Sequence, residues 1–289
     1  MLIEVLDLSF VYMPGTPFEV KALRNVNMKI KSGQFVGIIG QTGSGKSTLI
    51  QHFNGLLQPS EGKVLVDGKE ILRNSLALRY LRRRIVLLFQ YPEHQLFEET
   101  VYEDIALGPK NLGLSGKEVD KRVWDAMRMV ELDFSKYKDR PLFDLSGGEM
   151  RRVAIAGVLA MQPEVLILDE PAAGMDPEGR RAILGQIRRI HKEKGLTLIL
   201  VSHNMDEVSR LADSLFVMYE GEIVLSGSPA VIFGGYSRLE QYGLTLPTMT
   251  ELMHRLKERG CSVRTDVFTA SEVRQELLAL SRKGDCKSV

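Results

Sequence analysis

Residues 35–50, Phe-Val-Gly-Ile-Ile-Gly-Gln-Thr-Gly-Ser-Gly-Lys-Ser-Thr-Leu-Ile, decide how this chain folds. Phe35–Ile39 is a short apolar run of the kind a strand buried on both faces requires. It leads into Gly40-Gln41-Thr42-Gly43-Ser44-Gly45-Lys46-Ser47-Thr48, which fits G-x-x-x-x-G-K-[ST], and Thr48-Leu49-Ile50 opens a helix. Glycines there let backbone N–H groups converge on phosphate oxygens, and the helix start adds positive potential. Lys46 is placed to reach β- and γ-phosphates, and the Ser47 hydroxyl to ligate Mg²⁺. A glycine-rich turn with a chance lysine would lack the strand before it and the helix after it. The pattern predicts a nucleotide site.

Working outward, Ile85–Phe89, Val165–Leu168 and Leu196–Val201 are further apolar runs bounded by polar residues, as in buried parallel strands. Upstream, Leu2–Phe10 alternates loosely and Val26–Ile30 ends at a Lys31-Ser32-Gly33 turn. Lys63–Val66 and Lys69–Leu72 flank Asp67-Gly68, a hairpin signal. Val119, Val123, Met127 and Val130 share a helical face, read as core packing, and Gly179–Lys194 and Asp206–Leu211 are helix candidates. Strands alternating with helices predict an α/β fold with a parallel sheet, preceded by antiparallel strands. A change of character after Ser226-Gly227-Ser228-Pro229 sets a boundary near residue 230. Beyond it, Glu251–Arg259 and Ser271–Lys283 read as short charged helices.

Two further stretches carry chemistry. Val165-Leu166-Ile167-Leu168-Asp169-Glu170 runs a strand into adjacent carboxylates whose side chains leave in different directions. With the phosphate loop present, Asp169 suits the Mg²⁺ shell through water, and Glu170 suits polarising the water that attacks the γ-phosphate. Leu145-Ser146-Gly147-Gly148-Glu149 precedes the packed helix Met150–Met161 and forms a second anion-binding surface of hydroxyl, bare backbone and helix start. One ATP clamp has no use for two such surfaces. The economical account is a sandwich in which this surface closes over nucleotide held by another subunit.

Composition narrows the field. Lys+Arg number 38 against 37 Asp+Glu, a net charge of +1, which argues against a binder of long nucleic acid. No run approaches the roughly 20 apolar residues of a membrane span, and the N-terminus has no secretory pattern. The two cysteines, Cys261 and Cys286, lie near the C-terminus, cannot staple the core and suit a reducing compartment.

On these motifs the sequence resembles the ATP-binding-cassette ATPases over about its first 230 residues. That resemblance implies a P-loop NTPase core with a parallel sheet, an N-terminal antiparallel β subdomain and a helical signature subdomain at about 92–162. Residues 231–289 would then be a small C-terminal extension, helical and dimer-supporting. It further implies that Tyr12 stacks on adenine and that Gln90 senses Mg²⁺ and the γ-phosphate. Gly174-Met175-Asp176 would touch the opposite subunit, and His203 would contact the γ-phosphate. The signature commonly ends in Gln; Glu149 here is a departure, expected to weaken nucleotide affinity slightly.

Gln90-Tyr91-Pro92-Glu93-His94-Gln95-Leu96-Phe97, followed by Thr100–Gly113, is similar to the energy-coupling-factor transporters, which take up vitamins or, in related systems, cobalt or nickel ions. Met150–Gly157 and Asp169–Gly174 resemble the second of two homologous ATPases in the heterodimeric form. The implied cofactors are ATP and Mg²⁺. The implied partners are a second, paralogous cassette ATPase, a transmembrane coupling protein and a substrate-specific membrane subunit. The implied location is the cytoplasmic face of the cell membrane, with no nucleic-acid partner. Three alternatives stay open: a membrane-free cassette ATPase acting on DNA or ribosomes, a non-hydrolysing regulatory subunit, and a P-loop kinase. The first lacks the usual coiled-coil insertion or second cassette, the second is opposed by intact Lys46, Asp169, Glu170 and His203, and the third leaves Leu145–Glu149 unexplained.

Overall fold

The central strands are apolar along their whole length because each face meets a different core. The computed structural model describes residues 2–71, 75–235 and 239–283. In β3 (Phe35–Gly40), Phe35 and Ile39 enter one apolar cluster while Val36 and Ile38 enter another. β7 (Val165–Asp169) and β8 (Thr197–Val201) alternate the same way, with Leu166, Leu168, Leu198 and Leu200 on one side and Ile167, Ile199 and Val201 on the other. The period of two, split between two apolar layers, gives an unbroken hydrophobic run.

These strands belong to a six-stranded sheet in the order β10-β9-β3-β8-β7-β6, where β6 is Ile85–Leu88, β9 Ser214–Tyr219 and β10 Glu222–Gly227. β3, β6, β7, β8 and β9 are parallel, and β10 closes the edge antiparallel to β9. A four-stranded antiparallel sheet, β2-β1-β4-β5, covers the second core. It comprises β1 (Ile3–Tyr12), β2 (Val20–Ile30), β4 (Glu61–Val66) and β5 (Lys69–Glu70). The expected α/β class, with a parallel sheet and antiparallel strands before it, is the architecture observed.

Several expectations are refined. β1 alternates only loosely because its register with β2 shifts three times, with Asp7 (φ 49) and Asn25 (φ 47) in the left-handed region. β2 begins at Val20, earlier than the expected Val26. The hairpin at Asp67-Gly68 forms as predicted, while Leu72 lies outside the described residues. The β9–β10 hairpin was not predicted: its turn, Glu220-Gly221, has φ 46 and 84, and glutamate rarely signals a turn of that kind.

The helices follow their amphipathic stripes. α1 (Lys46–Phe53) leaves the phosphate loop, and α2 (Ser75–Arg84) precedes β6. α3 (Val101–Asn111), α4 (Gly116–Met129), α5 (Phe134–Tyr137) and α6 (Gly147–Ala160) form the helical region between β6 and β7. α7 (Pro177–Lys194) and α8 (Met205–Leu211) flank β8. After α9 (Pro229–Gly234), Phe233, Leu239, Leu244 and Leu246 still pack into the main core. A separate cluster built on Met253, Val263, Val267, Val273 and Leu280 joins α10 (Thr248–Glu258) to α11 (Ala270–Lys283). Cys261 is buried in that cluster; Cys286 lies outside the described residues. Among the described residues no helix is long and apolar enough to cross a membrane.

Candidate nucleotide site

Parallel strands of an open α/β sheet deliver their loops to one edge, where ligands bind. Here β3 ends at Gly40, β6 just before Gln90, β7 at Asp169 and β8 just before His203. The topology therefore gathers residues distant in sequence into one cleft of about 1210 Å³, lined among others by Tyr12, Lys46, Gln90, Asp169, Glu170 and His203.

The loop's glycines hold backbone where a side chain cannot go. Gly45 has φ 99, and a Cβ on it would lie 2.7 Å from the Ala22 carbonyl oxygen. Gly43, by contrast, has φ 82 and nothing within 4 Å of its would-be Cβ, so this part of the loop faces open space. Lys46 is buried and donates to the carbonyls of Gly40 (2.9 Å) and Gln41 (2.7 Å). Burial pushes its pKa below the ordinary lysine value, opposed by the charges of Glu170 and Asp169. Gly40, Gln41, Thr42, Gly43, Gly45, Ser47 and Thr48 all line the cleft, whereas Ser44 is buried.

The two carboxylates part as expected. The Ser47 hydroxyl donates to Asp169 Oδ2 at 2.9 Å. Burial pushes the Asp169 pKa up, partly countered by that bond. Glu170 has φ 47, a conformation costing a non-glycine residue of order 1 kcal/mol, and its amide is fixed to the Val201 carbonyl at 2.9 Å. The twist turns its carboxylate toward two partners. Gln90 Nε2 donates to Oε2 at 3.3 Å, and His203 Nδ1 lies 2.8 Å from Oε1. The Tyr12 hydroxyl is 3.2 Å from Thr48 Oγ1, and its ring stands edge-on to Phe10 at the cleft wall.

The donors of this arrangement fit a metal ion. Among the described residues no group of three His, Cys, Asp or Glu could hold an ion unaided. A hydroxyl, a carboxylate and an amide oxygen from Ser47, Asp169 and Gln90 are hard oxygen donors, suited to Mg²⁺ that also takes phosphate oxygens. The buried, unpartnered Ser44 hydroxyl is likewise a polar group behind a loop shaped for anions.

Ser146, Gly147 and Gly148 are elsewhere: none of them lines the cleft. Ser146 caps α6 through a complete capping box with Glu149. The Ser146 amide and hydroxyl each donate to Glu149 Oε2 at 2.8 Å, and the Tyr137 hydroxyl donates to Oε1 at 2.7 Å. Glu149 is thus part of the helix start. The Ser146 amide, then Tyr137 and the Ser146 hydroxyl, with Arg140 nearby, push its pKa down to about 2. Because the folded-state value lies below the ordinary 4.5, the stabilisation is full above that value and fades as pH falls toward 2. Glu149→Ala should therefore lower stability by about 1 kcal/mol at neutral pH, with the gap to the parent closing between pH 4.5 and 2. Urea unfolding across that range checks it. Glu149→Gln, which can still complete the box, should lose far less.

Sequence reasoning missed Arg151. It is buried and forks onto both oxygens of Glu93 (3.0 and 2.6 Å) while donating to the Ala173 carbonyl at 2.8 Å. Burial pushes the Glu93 pKa up, but the bonds and charge of Arg151 outweigh it and hold the carboxyl below its usual range. One guanidinium thereby ties the segment after Gln90, the signature helix and the loop after Glu170. No sequence signal links residues 93, 151 and 173, so only the fold could reveal the contact. Gly174-Met175-Asp176 follows directly, and Asp176 caps α7 by accepting from the Glu178 and Gly179 amides at 2.9 Å.

Comparison with known proteins fits this geometry. A family model described as "ABC transporter" matches residues 23–173. The chain is 51% identical to the energy-coupling factor transporter ATP-binding protein EcfA2 of Clostridium tetani, over 97% of both chains. Its identity to the protein of the same name from Clostridium perfringens is 52%, over 99% of this chain and 100% of the relative. Among solved structures, cbiO1 from Clostridium perfringens, part of the ABC transporter complex cbiONQ, aligns with a TM-score of 0.75 and 41% identity. It covers 88% of this chain and 98% of that one. The dimeric ATP-binding cassette MJ0796 bound to ADP and Pi aligns with a TM-score of 0.70 and 29% identity, covering 79% and 99%.

Proposed function

The chain belongs to the ATP-binding-cassette transporter ATPases, in the energy-coupling-factor group, and on that premise we propose that it shares each of its ATP sites with a second cassette. It binds and hydrolyses ATP and serves ATP-driven energy-coupling-factor transport. The finer reading is that it powers uptake of vitamins or related micronutrients, cobalt or nickel ions among them, from the cytoplasmic face of the membrane. There it pairs with a paralogous ATPase and docks on a transmembrane coupling protein that drives a substrate-capturing subunit. What carries the reading is the separation of its two anion-binding surfaces: the phosphate loop lines the cleft, and Ser146–Gly148 do not.

Each residue then has a task. Lys46, Ser47 and the loop amides hold the triphosphate, and Tyr12 meets the adenine. Ser47, Gln90 and, through water, Asp169 would hold Mg²⁺, which would supply charge neutralisation to the triphosphate. Ser146, Gly147 and Gly148 of the facing cassette gain contacts only while the γ-phosphate is present, so ATP selects the closed pair. Glu170 polarises the attacking water, with its two oxygens oriented by Gln90 and His203. His203 also reaches the γ-phosphate. After cleavage the charges repel and the pair opens. Gln90 and the segment to Asn111 pass the movement on, with Phe97 exposed on that segment.

The test is a division of labour in the purified transporter. Ser146→Ala should leave nucleotide binding in this chain's own cleft intact while slowing hydrolysis by the pair. Full-rate turnover by a strict monomer, with Ser146→Ala harmless, would overturn the shared site.

A further inference from the structure

Beyond α9 the chain comes back to the phosphate loop. Gln41 Nε2 donates to the Gly243 carbonyl at 3.3 Å, and Gly243, Leu244 and Thr245 line the same cleft as Tyr12 and Lys46. Gly243 has φ +64, and a Cβ there would collide with the Gln41 amide nitrogen. The Gln41 side chain thus fills the space that a Cβ at residue 243 would take. It is also held firmly: Leu239, Leu244 and Leu246 are buried in the main core, and the Tyr242 ring packs against Tyr219 at 5.3 Å. Five residues past Gly243, the Thr248 amide and hydroxyl donate to the two oxygens of Asp206 at 3.0 and 2.7 Å. Asp206 sits in α8, three residues after His203. Residues 243–248 thus run as a strap from the phosphate loop to the helix that follows the cleft's histidine, and α10 starts at the strap's far end.

We infer that this strap is a wall of the nucleotide site, holding the Gln41 side chain and the loop rim in the binding conformation, so that nucleotide in the cleft tightens the strap in return. The inference rests on the nucleotide reading above and assigns the C-terminal segment a part in it. Fixing a loop before the ligand arrives lowers the ordering cost of binding. Linkage makes the effect mutual: what the strap contributes to nucleotide affinity, nucleotide contributes to strap order.

MgADP is the probe for the full-length chain, because it fills the cradle without the γ-phosphate that closes the pair. Hydrogen exchange should slow at the amides of residues 243–246 and 248 when MgADP is added to the unaltered protein. Gly243→Ala should weaken MgADP binding about fivefold, the worth of one hydrogen bond. In a double-mutant cycle with Gln41→Ala the two losses should fail to add, since both act at one contact. Exchange that ignores MgADP, parent-like binding by Gly243→Ala, or additive losses would each overturn the strap. Lys46→Ala is the control. If it loses MgADP while Gly243→Ala does not, only the strap falls; if Lys46→Ala binds like the parent, the nucleotide reading falls and the strap with it.

Discussion

Glu170→Gln should slow ATP turnover by about 10²–10⁴-fold, the range lost when a general base is removed, while ATP binding stays near the parent value. The substitution keeps the side chain's shape and its capacity to bond Gln90 and His203, and removes only the carboxylate's charge and proton affinity. Binding is preserved because the groups proposed to grip the phosphates, Lys46, Ser47 and the loop amides, are untouched. With cleavage blocked, the closed pair should accumulate in ATP and stay open in ADP. Single-turnover measurements and size analysis with either nucleotide check both halves. Parent-like turnover would remove Glu170 from the role of base.

The second large effect is expected at Lys46. Lys46→Ala should reduce ATP affinity on the order of a hundredfold or more, the combined loss of charge-assisted hydrogen bonds to phosphate oxygens. The buried ammonium does two jobs. It presents positive charge to the cleft, and it satisfies the Gly40 and Gln41 carbonyls that shape the loop. Alanine removes the charge and leaves those carbonyls without their donor. Titration calorimetry with ATP reads the loss, and circular dichroism confirms that the sheet persists.

Which features could be read from the sequence follows from how far apart their residues lie. The phosphate loop, the acidic strand end and the signature are contiguous, and each sits at the end of an element with a strong local pattern. Gln90 and His203 were legible only through the resemblance to the cassette family, which places such residues just after the apolar runs that become β6 and β8. The capping box was also in plain view as Ser146-Gly147-Gly148-Glu149, yet Glu149 was weighed only against a family pattern and not as a helix cap. Contacts that depend on the chain's return through space were invisible. Arg151 reaches Glu93 across 58 residues and Gln41 reaches Gly243 across 202. The β9–β10 hairpin escaped because its turn uses glutamate where asparagine, aspartate or glycine is the usual sign.

Glu170 occupies backbone space that favours glycine, so the chain carries at this position a residue that chemistry wants and conformation does not. Selection for heat resistance alone would push the other way. Replacing Glu170 with glycine relaxes the backbone at the very residue proposed to polarise water, so hardened variants from such a screen would drift toward a robust but idle enzyme. Any engineering of this chain should hold position 170 fixed and seek thermal gains elsewhere.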